Sequence, residues 1–169
     1  QNKLMTMYQN ECHKHGFHSA QLLLTANDLK DRKRHLNVMN CIDALWAEGI
    51  LPVINENDSV SVDELKFGDN DTLAGLLAAM TRSELTIILT TVGGLHHKEN
   101  GILGERISVI DSISDELRDM ATGTDDAAMS VGGMISKLTA AEIVTAAGDH
   151  LWVADGRIGW RLEAGGAVV

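Results

Sequence analysis

Asn37-Val38-Met39-Asn40-Cys41-Ile42-Asp43-Ala44-Leu45-Trp46-Ala47-Glu48, closed by Gly49 and followed by Ile50-Leu51-Pro52-Val53-Ile54, is the stretch that decides the fold. Val38, Cys41, Ile42 and Leu45 recur at helical spacing, and Gly49 is placed to end that helix as its C-terminal cap. The apolar run at 50–54 is too short for a helix and reads as a buried strand. Pro52, the only proline of the chain, stands near its start, where a strand tolerates it. Working outward, Ala20–Leu24 reads as another strand, followed by a polar loop through Asn27, Asp28 and Asp31. Downstream, a Leu- and Ala-rich helix is expected over Thr72–Met80 and a strand over Leu85–Leu89. A further helix is expected over Lys137–Ala147, closed by Gly148. Strand and helix alternating, with continuously apolar strands, predicts an α/β fold whose mainly parallel sheet is covered on both faces. No internal repeat or linker divides the chain.

Composition supports a packed domain of this kind. Among 169 residues, 44% are hydrophobic and 22% charged, which excludes a disordered or low-complexity chain. The formal net charge of −10 argues against holding nucleic acid through its phosphates, so any anion site has to be local. The two cysteines, Cys12 and Cys41, do not make a disulfide framework and suit a reducing cytoplasm. No apolar run is long enough to span a membrane. Both ends read as cut: Gln1–Met5 opens directly in a helix without a cap, and the chain stops on Val168-Val169.

Ligands of open α/β sheets bind where loops leave the C-terminal ends of strands. Three segments fit that place. Asn55-Glu56-Asn57-Asp58 follows the strand at 50–54, and Gly68-Asp69-Asn70-Asp71 leads into the helix at Thr72. Either is accounted for by turn chemistry alone, with Asp71 as a helix N-cap. Together they favour a polar ligand site, since carboxylates at a helix N-terminus hold a divalent cation or a substrate amine, and exposed N–H groups attract an anion. The third segment, Gly132-Gly133-Met134-Ile135-Ser136-Lys137, reads as a glycine-rich loop before a helix with a lysine at its start. That is a recipe for cradling phosphate, although the P-loop spacing is absent.

Gln21-Leu22-Leu23-Leu24-Thr25, Arg34-His35-Leu36-Asn37, Pro52–Asp58 and Phe67-Gly68-Asp69-Asn70-Asp71-Thr72-Leu73 together resemble the glutamate 5-kinases, enzymes of proline synthesis within the amino acid kinase family. Gly132-Gly133-Met134, with Lys137-Leu138 and Ala140-Ala141, is similar to their nucleotide-side motif, and the resemblance runs in order to about Gly148. It implies a three-layer sandwich of helices around a mainly parallel sheet, with ATP and L-glutamate side by side at the strand ends. The implied reaction is transfer of the ATP γ-phosphoryl group to the glutamate γ-carboxylate. The implied catalytic residues are Asp71, Asp69 and Lys137. Asp58, Asn70, Asn55 and Asn57 would bind glutamate, while Thr90, Thr91, Gly132, Gly133, Met134 and Lys137 would face ATP. Mg²⁺ would be held mainly by the ATP phosphates. Also implied are proline as a candidate feedback inhibitor and a homodimer or homotetramer.

The pattern is departed from at three places. Thr91 stands where these kinases have Asp, His96 where they have an aromatic residue, and Val131 where they have Ser or Thr. The resemblance also leads us to expect residues 1–169 to be one amino acid kinase domain, without the family's opening strand and Gly-rich turn, its C-terminal end or a PUA domain. The competing readings are another amino acid kinase, against which Asn55–Asp58 argues, or a catalytically weakened sensor of glutamate or proline. Elsewhere, His13, His15 and His18 do not share one helix face and read as surface residues, as do His96 and His97. Cys41 and Trp46 read as core.

Overall fold

A computed structural model describes residues 2–59, 69–91, 94–99, 102–122 and 131–157. The chain divides into two compact units, Gln1–Leu73 and Ala74–Val169.

In the first unit, helix α1 (Asn2–Lys14) precedes strand β1 (His18–Leu24). The segment expected to be a polar loop instead forms a short helix, α2 (Ala26–Lys30), and the beginning of α3 (Arg32–Ala47). Side-chain hydrogen bonds make the difference. The Asp28 carboxylate accepts from the Thr25 backbone N–H at 2.8 Å and hydroxyl at 2.6 Å, which fixes the start of α2. Asp31 then accepts from the Arg34 N–H at 2.9 Å and caps α3. As expected, α3 ends at Gly49, whose φ of +68° is a conformation that a side chain disfavours. Strand β2 (Ile50–Glu56) returns parallel to β1, with His18 opposite Ile50 and Leu24 opposite Glu56. It runs two residues past the expected end, so Asn55 and Glu56 belong to the strand. Val38 and Ile42 are buried as the spacing requires. Two placements are corrected: Cys41 is exposed, and Trp46 is 50% exposed. The buried stripe of α3 is narrower than its apolar sequence, and both residues lie outside it.

The second unit begins within α4 (Asn70–Thr81) and continues through β3 (Leu85–Thr90), the antiparallel hairpin β4 (His96–Glu99) and β5 (Ile102–Arg106), α5 (Asp115–Thr122), α6 (Val131–Ala146) and β6 (His150–Asp155). Strands β3 and β6 are parallel, with Leu85 opposite His150 and Thr90 opposite Asp155. One core gathers Ala78, Ile88, Ala140, Val144 and Leu151 around these strands. A second joins Leu95, Ala121 and Leu138 beneath the hairpin and α5. The α/β class and the parallel pairing are thus as expected; along β3, Ile88 is buried while Leu85, Ile87 and Leu89 are exposed.

The largest departure is at α6, which starts six residues before the expected Lys137. Gly132 and Gly133 occupy its first turn and are not a loop. His96, expected in an exposed loop, lies in β4 and is half-buried, with its Nδ1 3.0 Å from the Gly104 carbonyl oxygen. His13, His15, His18 and His97 are exposed, as anticipated. Phe67, Gly68 and Trp160 lie outside the described residues.

Ile42 is 1% exposed, so Ile42→Ala should cost about 2–5 kcal/mol of unfolding free energy in urea titration. Trp46→Ala, truncating a half-exposed ring on the same helix, should cost well under half as much. Equal losses would contradict the stripe described for α3.

Candidate functional site

In the first unit the polar residues gather at the C-terminal end of the β1–β2 pair. Asn55 and Asn57 are half-buried, and Asp58 sits exposed in the following turn. The Asn57 N–H donates to the Leu24 carbonyl at 2.8 Å, which ties the loop to the end of β1. The Asn55 side-chain oxygen accepts from the Glu56 N–H at 2.9 Å and organises the backbone locally. The start of α4 is built by Asp69, whose carboxylate accepts from the Thr72 N–H at 2.7 Å. Asp69, not Asp71, therefore caps this helix, a correction to the expected cap. Asn70 is exposed and Asp71 half-buried in the first turn. A carboxylate at that position is favoured by the helix dipole.

In the second unit, Thr90 ends β3 and Thr91 follows it, exposed. The strand register adds a residue that no motif announces. Asp155 lies opposite Thr90 at the end of β6, and the Gly156 N–H donates to the Thr90 carbonyl at 2.9 Å. Asp155 accepts from the Arg157 backbone N–H and Nε, both at 2.9 Å, and from a terminal guanidinium nitrogen at 2.6 Å. Those hydrogen bonds hold its carboxyl at about 2. Only the pairing of β3 with β6 puts an acid at this strand end, so local sequence carries no signal for it.

Helix α6 supplies the remaining residues. The Lys137 ammonium reaches back to the Gly133 carbonyl at 3.2 Å, and the Ser136 hydroxyl donates to the same oxygen at 3.0 Å. Lys137 therefore stands in the second turn of α6. The dipole penalty expected for a cation at a helix start does not apply in full there, because it fades beyond the first turn. Met134 and Lys137 line a cavity of about 110 Å³ together with Leu95, Arg106, Ile110 and Leu138. This is smaller than the roughly 300–1,000 Å³ of a complete ligand pocket, so it accommodates part of a ligand at most. Arg106, a second cation on that cavity, is another residue that the sequence reading missed. Its own hairpin position, not a motif, brings it there.

Gly133 is informative for what it lacks. Its φ is not positive, and a Cβ built there meets nothing within 4 Å. Neither a positive φ nor contact with the described residues calls for glycine at that point of the helix. No group of three or more His, Cys, Asp or Glu suited to a metal ion exists among the described residues. No helix among them is long and apolar enough to cross a membrane.

The chain belongs to the amino acid kinase family, whose model matches residues 1–155 and so runs through both units. Several curated relatives share one name. The chain is 42% identical over 160 residues to a glutamate 5-kinase of Thermoanaerobacter sp. (strain X514), covering 94% of this chain and 43% of that protein. It is 39% identical over 168 residues to a glutamate 5-kinase of Myxococcus xanthus, covering 97% and 44%. For the glutamate 5-kinase of Trichlorobacter lovleyi the identity is 45% over 141 residues, covering 82% and 37%. The chain thus spans less than half the length of these relatives.

Two measurements test this geometry. Gly133→Ala should raise stability by roughly 0.5–1 kcal/mol, since alanine favours a helix and finds open space here. A fall in the thermal midpoint would show a packing role instead. Asp155 has a folded-state pKa of about 2, below the ordinary 3.8, so its support of the 155–157 turn is complete above pH 4 or so and is lost as pH falls toward 2. Carboxyl NMR titration should show that low midpoint, and Arg157→Ala should return it to the ordinary range.

Proposed function

We propose that this chain carries the phosphoryl-transfer machinery of an ATP-dependent glutamate 5-kinase, making L-glutamyl 5-phosphate in the first step of proline synthesis. The observation that carries the reading is where the motifs lie. Asn55–Asp58 is at the C-terminal end of β2, and Thr90 and Asp155 are at the C-terminal ends of β3 and β6. Each is a C-terminal strand end within its own unit, the kind of place where α/β sheets bind ligands. Membership of the amino acid kinase family and relatives named glutamate 5-kinase support the same reading.

In this reading a γ-carboxylate oxygen of glutamate attacks the γ-phosphorus of ATP. The new O–P bond replaces the bond to the bridging oxygen, and ADP leaves. Asp58 pairs with the α-ammonium of glutamate by a charge-assisted hydrogen bond, and Asn70, Asn55 and Asn57 supply neutral polar contacts. Asp71, in the first turn of α4, orients the reacting groups. Lys137 neutralises negative charge that builds up on the phosphoryl oxygens. Gly132 and Gly133 let the phosphates approach the first turn of α6, with Met134 beside them and Thr90 and Thr91 at the strand end. Mg²⁺ held mainly by the ATP phosphates would offset charge on their oxygens. The same reading places the protein in the cytoplasm, with proline as feedback inhibitor and assembly as a homodimer or homotetramer.

The test is turnover of the full chain with glutamate and MgATP, with the acyl phosphate trapped by hydroxylamine and ADP measured in parallel. Asp58→Ala should raise the KM for glutamate tenfold or more, the scale of about 1.5–3 kcal/mol for a hydrogen bond to a charge, and leave the KM for ATP within about twofold. Asp71→Asn should lower kcat by about a hundredfold with little change in stability, because Asp69 keeps the cap. Lys137→Ala should lower kcat similarly, and Thr91→Asp should tighten ATP alone. Equal effects of Asp58→Ala on both substrates would overturn the assignment of the glutamate side.

A further inference from the structure

Helices α4 and α6 come together at Gly75. A Cβ built on Gly75 would lie 3.0 Å from the Ala140 Cα, 3.1 Å from its carbonyl oxygen and 3.3 Å from its Cβ. Two of these three atoms are backbone, which cannot rotate aside as a long side chain can. Both residues are buried, Ala140 completely, and the contact continues into the core of Ala78, Val144, Ile88 and Leu151. The φ of Gly75 is not positive, so the glycine answers to space and not to backbone conformation. Gly75 therefore sets how closely α6 lies against α4. Lys137 stands one turn before Ala140 on α6, where its ammonium is turned back along the helix to the Gly133 carbonyl.

We propose that Gly75 is a positioning residue for phosphoryl transfer: its missing side chain fixes the seat of α6 and through it the place of the Lys137 ammonium. The inference rests on the kinase reading above and adds a residue that touches neither substrate. A methyl group at position 75 pushes α6 outward by a few tenths of an ångström. Misplacement of about 1 Å costs a reaction roughly a hundredfold, so a shift of this size should cost about tenfold. The loss falls on kcat, because the group displaced is Lys137, which acts on the phosphoryl oxygens as charge builds up there.

The experiment is a double-mutant cycle on the full chain with Gly75→Ala, Lys137→Ala and the two combined, reading kcat and both KM values. Expected are a loss of about tenfold for Gly75→Ala, an unchanged KM for glutamate, and a combined variant no slower than Lys137→Ala alone. Losses that multiply in the combined variant would show that Gly75 acts on the fold generally, and an unchanged kcat for Gly75→Ala would overturn the proposal outright. Should Gly75→Ala not fold, Ala140→Gly loosens the same contact from the other helix. It should lower kcat a few-fold, again only while Lys137 is present. A wild-type chain that makes no acyl phosphate would overturn the kinase reading and this proposal with it. Normal wild-type turnover beside an inert position 75 would overturn the proposal alone.

Discussion

Parallel strands cannot be joined by a tight turn, and the second unit is organised by that constraint. Once Leu85–Thr90 pairs with His150–Asp155, everything between them must leave one end of the sheet and return to the other. The hairpin, α5 and α6 are the path of that return. Both strands then finish at the same edge, which puts Thr90 and Asp155 side by side although more than sixty positions separate them. In the first unit the pairing of β1 with β2 likewise brings Asn55–Asp58 to the edge where β1 ends, and the bond from Asn57 to Leu24 holds it there. The chemistry is thus collected by topology and finished by short-range hydrogen bonds.

Charge follows the same division of labour. A chain with a net charge of −10 does not attract an anionic substrate through its overall field. Positive charge is instead placed locally among the described residues: Lys137 and Arg106 line one small cavity, and N–H groups are exposed at the start of α6. The surplus of carboxylates is partly absorbed in local structure. Asp31 and Asp69 each cap a helix, and Asp155 is held by Arg157. Burial works against the charge on Asp28, yet bonds from Thr25 and Arg34 outweigh it and keep the carboxyl below its usual range.

The elements legible in the sequence were those fixed by apolar spacing. Strands β1, β2 and β3, helix α4 and the glycine that ends α3 follow from periodicity and from one residue type whose backbone freedom is needed. The failures have separate physical causes. Two glycines in succession argue against helix, so the first turn of α6 reads as a loop; tertiary packing of Leu138, Ala140 and Val144 overrides that local preference. Asp28 and Asp31 read as loop polarity because capping depends on geometry, not composition. Cys41 and Trp46 have the right spacing for a core, but which neighbour covers a helix flank is not written in that helix. At the site, the Asn- and Asp-rich motifs were visible because turn and cap chemistry is local. Asp155 and Arg106 were not, since only a distant strand register or a hairpin brings them to their places.

The pairing of β3 with β6 also bears on how the chain reaches its native state. Leu85-Thr86-Ile87-Ile88-Leu89-Thr90 has no charge and no proline, and its sole strand partner among the described residues is synthesised about sixty positions later. Closing so long a loop is slow compared with forming a helix or a hairpin, and until it closes this strand has two bare edges. Six uncharged residues of high β-propensity with open edges are a template for pairing between chains. The interval before β6 arrives is therefore when the protein is most prone to aggregate. Expression at lower temperature or with a chaperone that shields extended apolar segments should improve soluble yield more than any change to the finished fold.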